Sequence, residues 1–420
     1  MSRRQQAASR RRSLNVKRRQ RRYRYQQAAR RRPKAKCAGP RKTSGLFQRG
    51  LRCLVETEFR PWLHAKQVLS LYMIAYGIVH SDRLGVAAVG TAMARALGTD
   101  PKHGIKQVDR CLSNDKLGLE VLFAGLVPVI VGQRQSIEVT LDWTEFDKDD
   151  HSTVSIALVT PKKRAMPLVW LTVHKSELKG RQRKYERKVL RMLADALPPN
   201  IHVVVLADRG FGDVHFYRYI HRTLKFDFVI RYRSNVYVSH DGWLWPSSDL
   251  IPRNGRIRVL RDTDLTAKEA GPYTVVLYKA GGMKDSWCLA TSLRDESGRE
   301  TVNRYARRFQ CEEAFRDLKD RRYGYGLRFT CIRDCKRRDR LLVLFTLAYL
   351  TQTLMGDTSE RLGLDKKLRA NTVKERTHSL CRQGRALLGE LAGAAYAAVA
   401  RQYRDAMRTL LKRGLLEALA

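Results

Sequence analysis

A short apolar run constrains the fold of this chain more than any other feature. Residues 203–207 are continuously apolar, and Asp208 and Arg209 follow at once. An unbroken run of this length is typical of a strand that is covered on both faces, as in the sheet of an α/β protein. Because the run ends at Asp208, this carboxylate is predicted at the carboxyl end of a central strand. Ligand sites of open α/β sheets form at that edge.

A second aspartate belongs to a strand with a different pattern. In residues 136–146, Ile137, Val139 and Leu141 alternate with polar residues, which is the period-two pattern of a half-buried strand. Asp142 is one of the polar positions. A single Asp at the end of a strand is more often a turn or cap residue than a metal ligand. The two aspartates therefore indicate a ligand site only if a third group accompanies them.

Five polar residues supply that group from one face of a predicted helix. At about 100° per residue they project within a stripe roughly 60° wide, apart from one residue at its border. They are Tyr305, Arg308, Glu312, Lys319 and, at the border, Arg316. A structural helix reserves such a stripe for apolar residues that face the core. A phenol, one carboxylate and three cations suit instead a surface that grips phosphate around a metal ligand, and a solvated face with ion pairs is the alternative.

The order of patterns predicts an α/β core that is interrupted by an insertion. Residues 133–233 give three strands, a helix, a strand, a helix and a strand, and residues 298–335 complete the core with the helix of the polar stripe, 298–322. Residues 234–297 are a β-rich insertion. The predicted core strands are 136–146, 154–160, 166–173, 203–207 and 226–232, the helices between them are 185–197 and 212–224, and the strands of the insertion are 236–239, 256–260, 273–278 and 287–291.

Both flanks of this core are predicted to be helical. Residues 46–132 include two helical segments, 84–97 and 103–112, whose short connection is compatible with a helix-turn-helix. A helical packing domain is the alternative. Residues 1–45 are predicted to be a disordered basic arm. The C-terminal region, 336–420, is predicted to be helical over 338–355 and 377–419.

These residues resemble the signature of one enzyme family, the DDE transposases of the insertion-sequence four (IS-four) family. The helix signature of that family is Tyr, two residues, Arg, three residues, Glu, six residues and Lys. The chain meets it without a gap at Tyr305, Arg308, Glu312 and Lys319. Residues 141–144 and 208–211 are similar to the motifs of the two family aspartates. The resemblance covers roughly residues 50 to 400, and it selects Glu312 over Glu313.

The resemblance implies a ribonuclease-H-like core and a metal-dependent site. Two metal ions about 3.5–4 Å apart can activate a nucleophile and stabilise the leaving oxygen in phosphodiester cleavage. Mg²⁺, or Mn²⁺ in its place, prefers a few carboxylates together with water and phosphate oxygens. The expected catalytic residues and metal ligands are Asp142, Asp208 and Glu312. The expected DNA-binding residues are Tyr305, Arg308, Arg316, Lys319 and, as the insertion aromatic that stacks on a flipped base, Trp287.

The function that the resemblance implies is cut-and-paste DNA transposition. Hydrolysis would free the 3′ end of an insertion sequence, its hydroxyl would form a DNA hairpin with the opposite strand, and the reopened end would be joined to target DNA. The N-terminal helices would bind terminal inverted repeats, and the C-terminal helices would pair two protomers as a homodimer on DNA. A nuclease without strand transfer and a non-catalytic nucleic-acid-binding protein are the alternatives.

Net charge agrees with a double-stranded DNA partner. The chain holds 82 Lys and Arg against 41 Asp and Glu, a net charge of +41. Eighteen of these cations lie in residues 1–45, which contain no acid, so the remainder still carries +23. An excess of this size favours polyanion binding through counterion release. An RNA-coating role would use the same charge, but it would leave the three acids without a purpose.

Cysteine usage and hydropathy predict the compartment. The 8 cysteines are scattered, with no Cys-x-x-Cys pair, which favours a reducing compartment and argues against structural zinc. The sequence contains no run of 18 or more apolar residues, so no membrane span is predicted. These features lead us to expect a cytoplasmic protein without a membrane partner, and the family resemblance implies a bacterial protein associated with the nucleoid.

Overall fold

The computed structural model describes residues 45–266, 270–320, 324–388 and 393–420. The predicted N-terminal arm, apart from Gly45, lies outside the described residues. The described chain is a mixed α/β protein whose helices surround one ten-stranded sheet.

The sheet places the two aspartate strands side by side. The strand order is β3-β2-β1-β4-β5-β10-β9-β8-β6-β7. β1 pairs with β4 and β4 pairs with β5 in parallel, whereas the other described pairings are antiparallel. The strands are β1 (Ser136–Phe146), β2 (His151–Leu158), β3 (Met166–His174), β4 (His202–Ala207), β5 (Asp227–Tyr232), β6 (Tyr237–His240), β7 (Trp243–Pro246), β8 (Ile257–Leu265), β9 (Ala270–Tyr278) and β10 (Trp287–Thr291).

Alternation along the strands separates two apolar layers. On one face, Val139 and Leu141 of β1 belong to the large core that also holds the flanking helices. On the other face, Val204 and Leu206 of β4 belong to a smaller cluster with Tyr305. The unbroken apolar run of β4 therefore serves both layers, as predicted for a strand covered on both faces.

Helices cover both faces of the sheet and extend beyond it. They are α1 (Gly45–Phe59), α2 (Ala65–Val79), α3 (Val86–Leu97), α4 (Pro101–Leu112), α5 (Leu119–Val131), α6 (Gln182–Ala196), α7 (Val214–Arg218, continued by a π-helical turn at Tyr219–Leu224), α8 (Gly298–Ala306), α9 (Gln310–Lys319), α10 (Cys335–Arg361), α11 (Leu380–Leu388), α12 (Gly393–Arg413) and α13 (Leu415–Ala418). The predicted helices 84–97 and 103–112 correspond to α3 and α4. Asp100 caps α4 by accepting a hydrogen bond from the Lys102 backbone N–H, and Pro101 occupies the first turn, where its missing N–H costs nothing.

The longest helix, α10, joins the flanks to the sheet. It packs against β3, α2, α11 and α12. Its length and apolar composition would allow it to span a membrane, but its apolar stretch is entirely buried within the protein. Central helices of large cores have the same property.

Two predicted helices are divided in the structure. The segment 298–322 was predicted as one helix, but α8 ends at Ala306, a 3₁₀ turn spans Arg307–Phe309, and α9 ends at Lys319. Asp320 follows α9 with extended backbone angles, φ −73° and ψ 139°. In the C-terminal segment 377–419, predicted as one helix, α11 begins at Leu380, and Gly414 separates α12 from α13; residues 389–392 lie outside the described residues.

The strands of the insertion continue the core sheet. β10 pairs antiparallel with β5, and β9, β8, β6 and β7 follow in order. Residues 234–297 therefore extend the sheet that carries the two aspartates, and the chain returns from them directly into α8.

Candidate active site

The parallel pairing of β1 with β4 brings Asp142 and Asp208 together. Leu141 and Ala207 are partners in this register, so the next residue on each strand is an aspartate. Neighbouring strands lie about 4.8 Å apart. Since Leu141 and Ala207 face the large core, both aspartates face the opposite layer, beneath α8 and α9. Asp208 also accepts a hydrogen bond from the Gly210 backbone N–H at 2.8 Å, which ends the strand in a tight turn.

Glu312 reaches the same place from the helical side. The Arg308 guanidinium lies 2.8 Å from the Glu312 carboxylate (Nη2 to Oε1) and 4.0 Å from the Asp142 carboxylate (Nη1 to Oδ2). One cation thus contacts an acid from the helix and an acid from the sheet. The three predicted acids converge at one edge of the sheet.

Burial and neighbouring charges shift the pKa values of Asp142 and Arg308 in opposite directions. Burial raises the pKa of Asp142 above its usual range, the Arg308 charge and a hydrogen bond from the Cys311 thiol lower it, and the negative charge of Asp208 raises it again. The Cys311 Sγ lies 3.4 Å from Asp142 Oδ2. Burial lowers the pKa of Arg308, but Tyr305, Cys311, Asp142 and Glu312 together raise it further, so the guanidinium stays charged. The site therefore holds more carboxylates than the one guanidinium can balance.

The donor chemistry of these acids fits Mg²⁺ or Mn²⁺. Such ions take carboxylate oxygens together with water and substrate oxygens and do not need an all-protein cage. Asp142 and Asp208 face the same side, and the Glu312 side chain is 53% exposed beside them. A divalent ion there would offset both the burial that chiefly raises the pKa of Asp142 and the smaller repulsion from Asp208.

Lys319 lies near the acids in apolar surroundings. Its Nζ is 5.2 Å from the ring centroid of Phe146 and 5.6 Å from that of Phe315. Burial and the Arg328 charge lower the pKa of Lys319 to about 8, while the Asp142 charge acts in the other direction. The ammonium can therefore lose its proton within an accessible pH range.

Arg316 is placed differently from Arg308. It is exposed and pairs with Glu313 at 2.8 Å, one turn back on α9. This ion pair is of the kind expected on a solvated helix face, which was the alternative for the whole stripe. The prediction that Arg316 binds DNA is not tested by this contact.

Tyr305 is buried, with 1% of its surface exposed. Its ring contacts that of Trp287 edge to face, with centroids 4.8 Å apart, and the Trp287 ring stacks on Phe309 with centroids 6.2 Å apart. The Arg308 guanidinium lies 4.6 Å from the Phe309 centroid. Trp287 and Tyr305 therefore support Arg308 and Phe309 from below, and their direct contact with DNA stays a prediction.

The turn at 307–309 creates an exposed aromatic residue that sequence analysis missed. Phe309 is 42% exposed beside Arg308. On a continuous helix Phe309 would project about 100° away from Arg308. Phe309 therefore lies outside the predicted polar stripe, and its contact with the guanidinium is seen only in the structure.

A second missed residue, Arg164, anchors the catalytic helix. It lies in the turn between β2 and β3 and pairs with Glu313 at 3.0 Å and with Asp317 at 3.6 Å. The same turn holds Gln310, because the Thr160 backbone N–H donates to the Gln310 side chain at 3.0 Å. Glu313 thus contacts Arg164, whereas Glu312 contacts Arg308 beside Asp142. The choice of Glu312 over Glu313 as the catalytic acid stays a prediction.

Arg183 of α6, which sequence analysis also missed, stabilises the turn that follows Asp208. It donates to the Gly210 carbonyl at 3.0 Å and pairs with buried Glu186 at 2.6 Å. Glu186 in turn accepts a hydrogen bond from the indole N–H of Trp143, at 3.0 Å. The residues after Asp142 and Asp208 are therefore tied to one another behind the acids.

One His/Cys cluster lies elsewhere in the described chain. His151, His174 and Cys335 offer ligand atoms within 4.8 Å of one another. Both ring nitrogens of His151 are already engaged, because Nε2 lies 2.9 Å from the Arg333 carbonyl and Nδ1 lies 2.9 Å from the Arg338 Nε. With the buried Arg338 cation beside it, this cluster holds α10 against the sheet and does not present a free ligand set.

Comparison with known protein families adds one match. Residues 171–350 match the family model described as Transposase DDE domain. The matched range includes Asp208 and Glu312 and begins after Asp142. No curated protein matches the chain. The chain thus contains a DDE transposase domain, a catalytic DNA-processing domain of a class that binds DNA and generally uses divalent metal ions.

Proposed function

We propose that this protein is a DDE transposase of the IS-four family, which cuts and joins DNA at the ends of an insertion sequence. The observation that carries the proposal is the convergence of Asp142, Asp208 and Glu312 around Arg308. Two of these acids lie within the matched DDE domain. The third is fixed beside them by the parallel pairing of β1 with β4.

The topology of the sheet supports a ribonuclease-H-like core. The order β3-β2-β1-β4-β5, with three antiparallel strands followed by two parallel additions, is the arrangement expected of that fold. α6 crosses between β3 and β4, and α7 crosses between β4 and β5. The remaining five strands correspond to the insertion that separates the second acid from the third.

The three acids would hold the divalent ions. Two Mg²⁺ or Mn²⁺ ions would supply an activated nucleophile and charge stabilisation at the leaving oxygen. Asp142 and Asp208 face the same layer from adjacent strands, and Glu312 closes the group from α9. Arg308, with its guanidinium held against Phe309, would bind a phosphate of the DNA end, as a planar donor suits phosphate oxygens.

Lys319 is placed to hold a second phosphate. It is charged below a pKa of about 8, and its ammonium group lies over the rings of Phe146 and Phe315. Trp287, beneath Phe309, is the proposed platform for a base that leaves the stack during DNA hairpin formation. Water or the freed 3′ hydroxyl would attack the phosphorus, and the displaced 3′ oxygen would leave with the proton that balances the step.

The proposal is tested by neutral substitutions of the acids with one matched control. Asp142→Asn, Asp208→Asn and Glu312→Gln should abolish Mg²⁺-dependent cleavage of a duplex that carries the element end, while binding in Ca²⁺ is retained. Glu313→Gln removes the adjacent charge from the same helix but not from the acid cluster. Its amide oxygen can still accept a hydrogen bond from Arg164, so the variant should retain cleavage. Full cleavage by Glu312→Gln would remove the assignment.

Product analysis separates the competing functions. A pre-cut end with a free 3′ hydroxyl should be joined to target DNA by the wild-type protein. Cutting without joining would indicate a nuclease, and the absence of metal-dependent nicking would indicate a non-catalytic DNA-binding protein. For an IS-four transposase we further propose a homodimer on two DNA ends and a location on the bacterial nucleoid. Light scattering of the protein with one and with two end duplexes tests the dimer.

A further inference from the structure

A row of cations runs along the exposed face of α6. Arg181, Lys184, Arg187 and Lys188 are exposed, and they project within about 120° of one another. We refer to these four residues as the α6 tract. None of them forms an ion pair with an acid in the described part of the chain. Half-buried Lys175, by contrast, pairs with both Glu145 and Asp147.

The acids of α6 do not neutralise the tract. Glu186 is buried and is used by Arg183 and Trp143. Asp195 lies near the end of the helix and within 3.8 Å of Arg191. A solvated structural helix usually mixes both charge signs on its exposed face. From Arg181 to Lys188 the exposed face of α6 carries only positive charge, and Asp195, which lies on the same face, follows about 10 Å further along the helix.

The tract begins at the catalytic edge of the sheet. Arg183, within the tract's range, donates to the Gly210 carbonyl, two residues after Asp208. β3 runs parallel to β1 because both pair antiparallel with β2, so the helix that follows β3 runs away from that edge. From Arg181 to Lys188 the helix rises about 10 Å. The α6 tract therefore leads from the acids along the face of the sheet opposite α8 and α9.

A basic cavity continues the tract at the other edge of the sheet. The Tyr219 hydroxyl donates to the Arg187 carbonyl at 3.1 Å, so the turn at Tyr219–Leu224 lies alongside α6. Just beyond it is a cavity of about 350 Å³ lined by His221, Arg222, Lys225, Asp227, Tyr273 and Arg294, with Gly271 and Pro272. Its acid, Asp227, is already engaged by His202 at 2.6 Å and by the Ser292 hydroxyl at 2.7 Å. Three permanent cations thus surround a space that is large enough for a phosphate.

We propose that the α6 tract and this cavity bind the phosphate backbone of duplex DNA on one side of the cleaved bond. β5 spans six residues, about 20 Å, between the cavity and the catalytic edge. This length corresponds to about six base pairs at 3.4 Å each. Contacts of Lys and Arg with phosphates fix the position of a duplex and do not read its sequence. The inference rests on the proposed function because the acids define where the bond is cut.

The test compares two variants with the same change in charge. The tract variant is Arg181→Gln, Lys184→Gln, Arg187→Gln and Lys188→Gln. The control is Arg401→Gln, Arg404→Gln, Lys412→Gln and Arg413→Gln, four exposed cations of α12. Binding to a 30-base-pair duplex of arbitrary sequence is measured by fluorescence anisotropy without divalent metal, over a range of salt concentrations. Equal circular dichroism and melting temperature establish that both variants are folded.

The slope of log affinity against log salt concentration should become shallower by three to four units in the tract variant, since each phosphate contact contributes about 0.9. In the control the slope should change by less than one unit. The affinity of the tract variant near physiological salt should fall at least 30-fold more than that of the control. Hydroxyl-radical footprints should lose about three protected base pairs on one side of the cleavage position, because the tract spans about 10 Å and the cavity cations are retained. Equal losses in the two variants, or tighter tract-dependent binding of duplex RNA, would overturn the inference. If the wild-type protein binds through the tract but never cuts DNA, the proposed function fails instead.

Discussion

Replacing Arg308 with Gln should destabilise the protein and make its stability depend more strongly on Mg²⁺. The guanidinium is nearly buried, contacts Glu312 at 2.8 Å and Asp142 at 4.0 Å, and is the cation that balances these acids. Breaking a fully buried ion pair costs about 3–5 kcal/mol. Because the Glu312 side chain is 53% exposed and the Asp142 contact is long, we expect about 1–3 kcal/mol here.

A divalent ion should restore part of that loss. An ion that binds only the folded protein contributes about 1.4 kcal/mol when its concentration is ten times its dissociation constant. In the variant, the ion meets two carboxylates that no guanidinium competes for, so it should bind more tightly than in the wild-type protein. The expected result is a melting temperature about 2–6 °C lower in EDTA, and a larger rise on addition of 10 mM MgCl₂ than in the wild-type protein.

Differential scanning fluorimetry in EDTA, MgCl₂ and MnCl₂ measures both effects, and isothermal titration with Mn²⁺ measures the affinity directly. Arg316→Gln is the matched control, since Arg316 is exposed and pairs with Glu313 alone among the described acids. An unchanged melting temperature in EDTA, or equal stabilisation of variant and wild type by metal, would refute the charge-balance argument.

Four further outcomes follow from the geometry and the charges. Arg164→Ala should reduce cleavage at least tenfold while DNA affinity changes less than threefold, because it loosens α9 without removing a DNA contact; equal losses in rate and affinity would contradict this. DNA affinity should fall as pH rises through about 8, where Lys319 loses its charge, and Lys319→Gln should remove that step in a fluorescence titration. The same lowered pKa of Lys319 predicts that stability rises between about pH 8 and 10.5, because the unfolded chain binds the proton more tightly there. Phe309→Ala should weaken DNA hairpin formation more than first-strand nicking, as measured with 2-aminopurine at the DNA end, whereas equal effects would indicate a general contact.

The strands that carry the acids were predictable because their patterns are local. Period-two alternation in β1 and the unbroken apolar run in β4 indicated two strands, and the end of the run placed Asp208 at the carboxyl end of its strand. The common face of the two aspartates follows only from the pairing of β1 with β4. β2 begins at His151, earlier than the predicted residue 154, because polar residues continue the strand. Thr153 is buried and shares a hydrogen bond with Thr172 across the strand pair, at 2.8 Å, so its polarity does not indicate exposure.

The contacts that hold α9 and the three acids in place could not be predicted, because they join segments that are distant in the sequence. Arg164 and Glu313 are far apart in sequence, and neither sits in a pattern that identifies the other. The helix break at Arg307–Phe309 contains no Gly or Pro, the residues that usually indicate a break. Tyr305 lies on the predicted stripe and yet is buried beneath Trp287, because β10 continues the core sheet underneath α8.

The separation of charges across the sheet determines how DNA can approach. Both faces of β4 are apolar and covered, so the acids can meet solvent only at the edge where the strand ends. Arg308 and Lys319 approach that edge from the side of α8 and α9, and Arg183 approaches it from α6. A phosphate placed at the acids therefore has cations on both sides of the sheet. DNA that crosses this edge gains contacts in both directions, and the crossing point is the place where the three carboxylates would hold the metal ions.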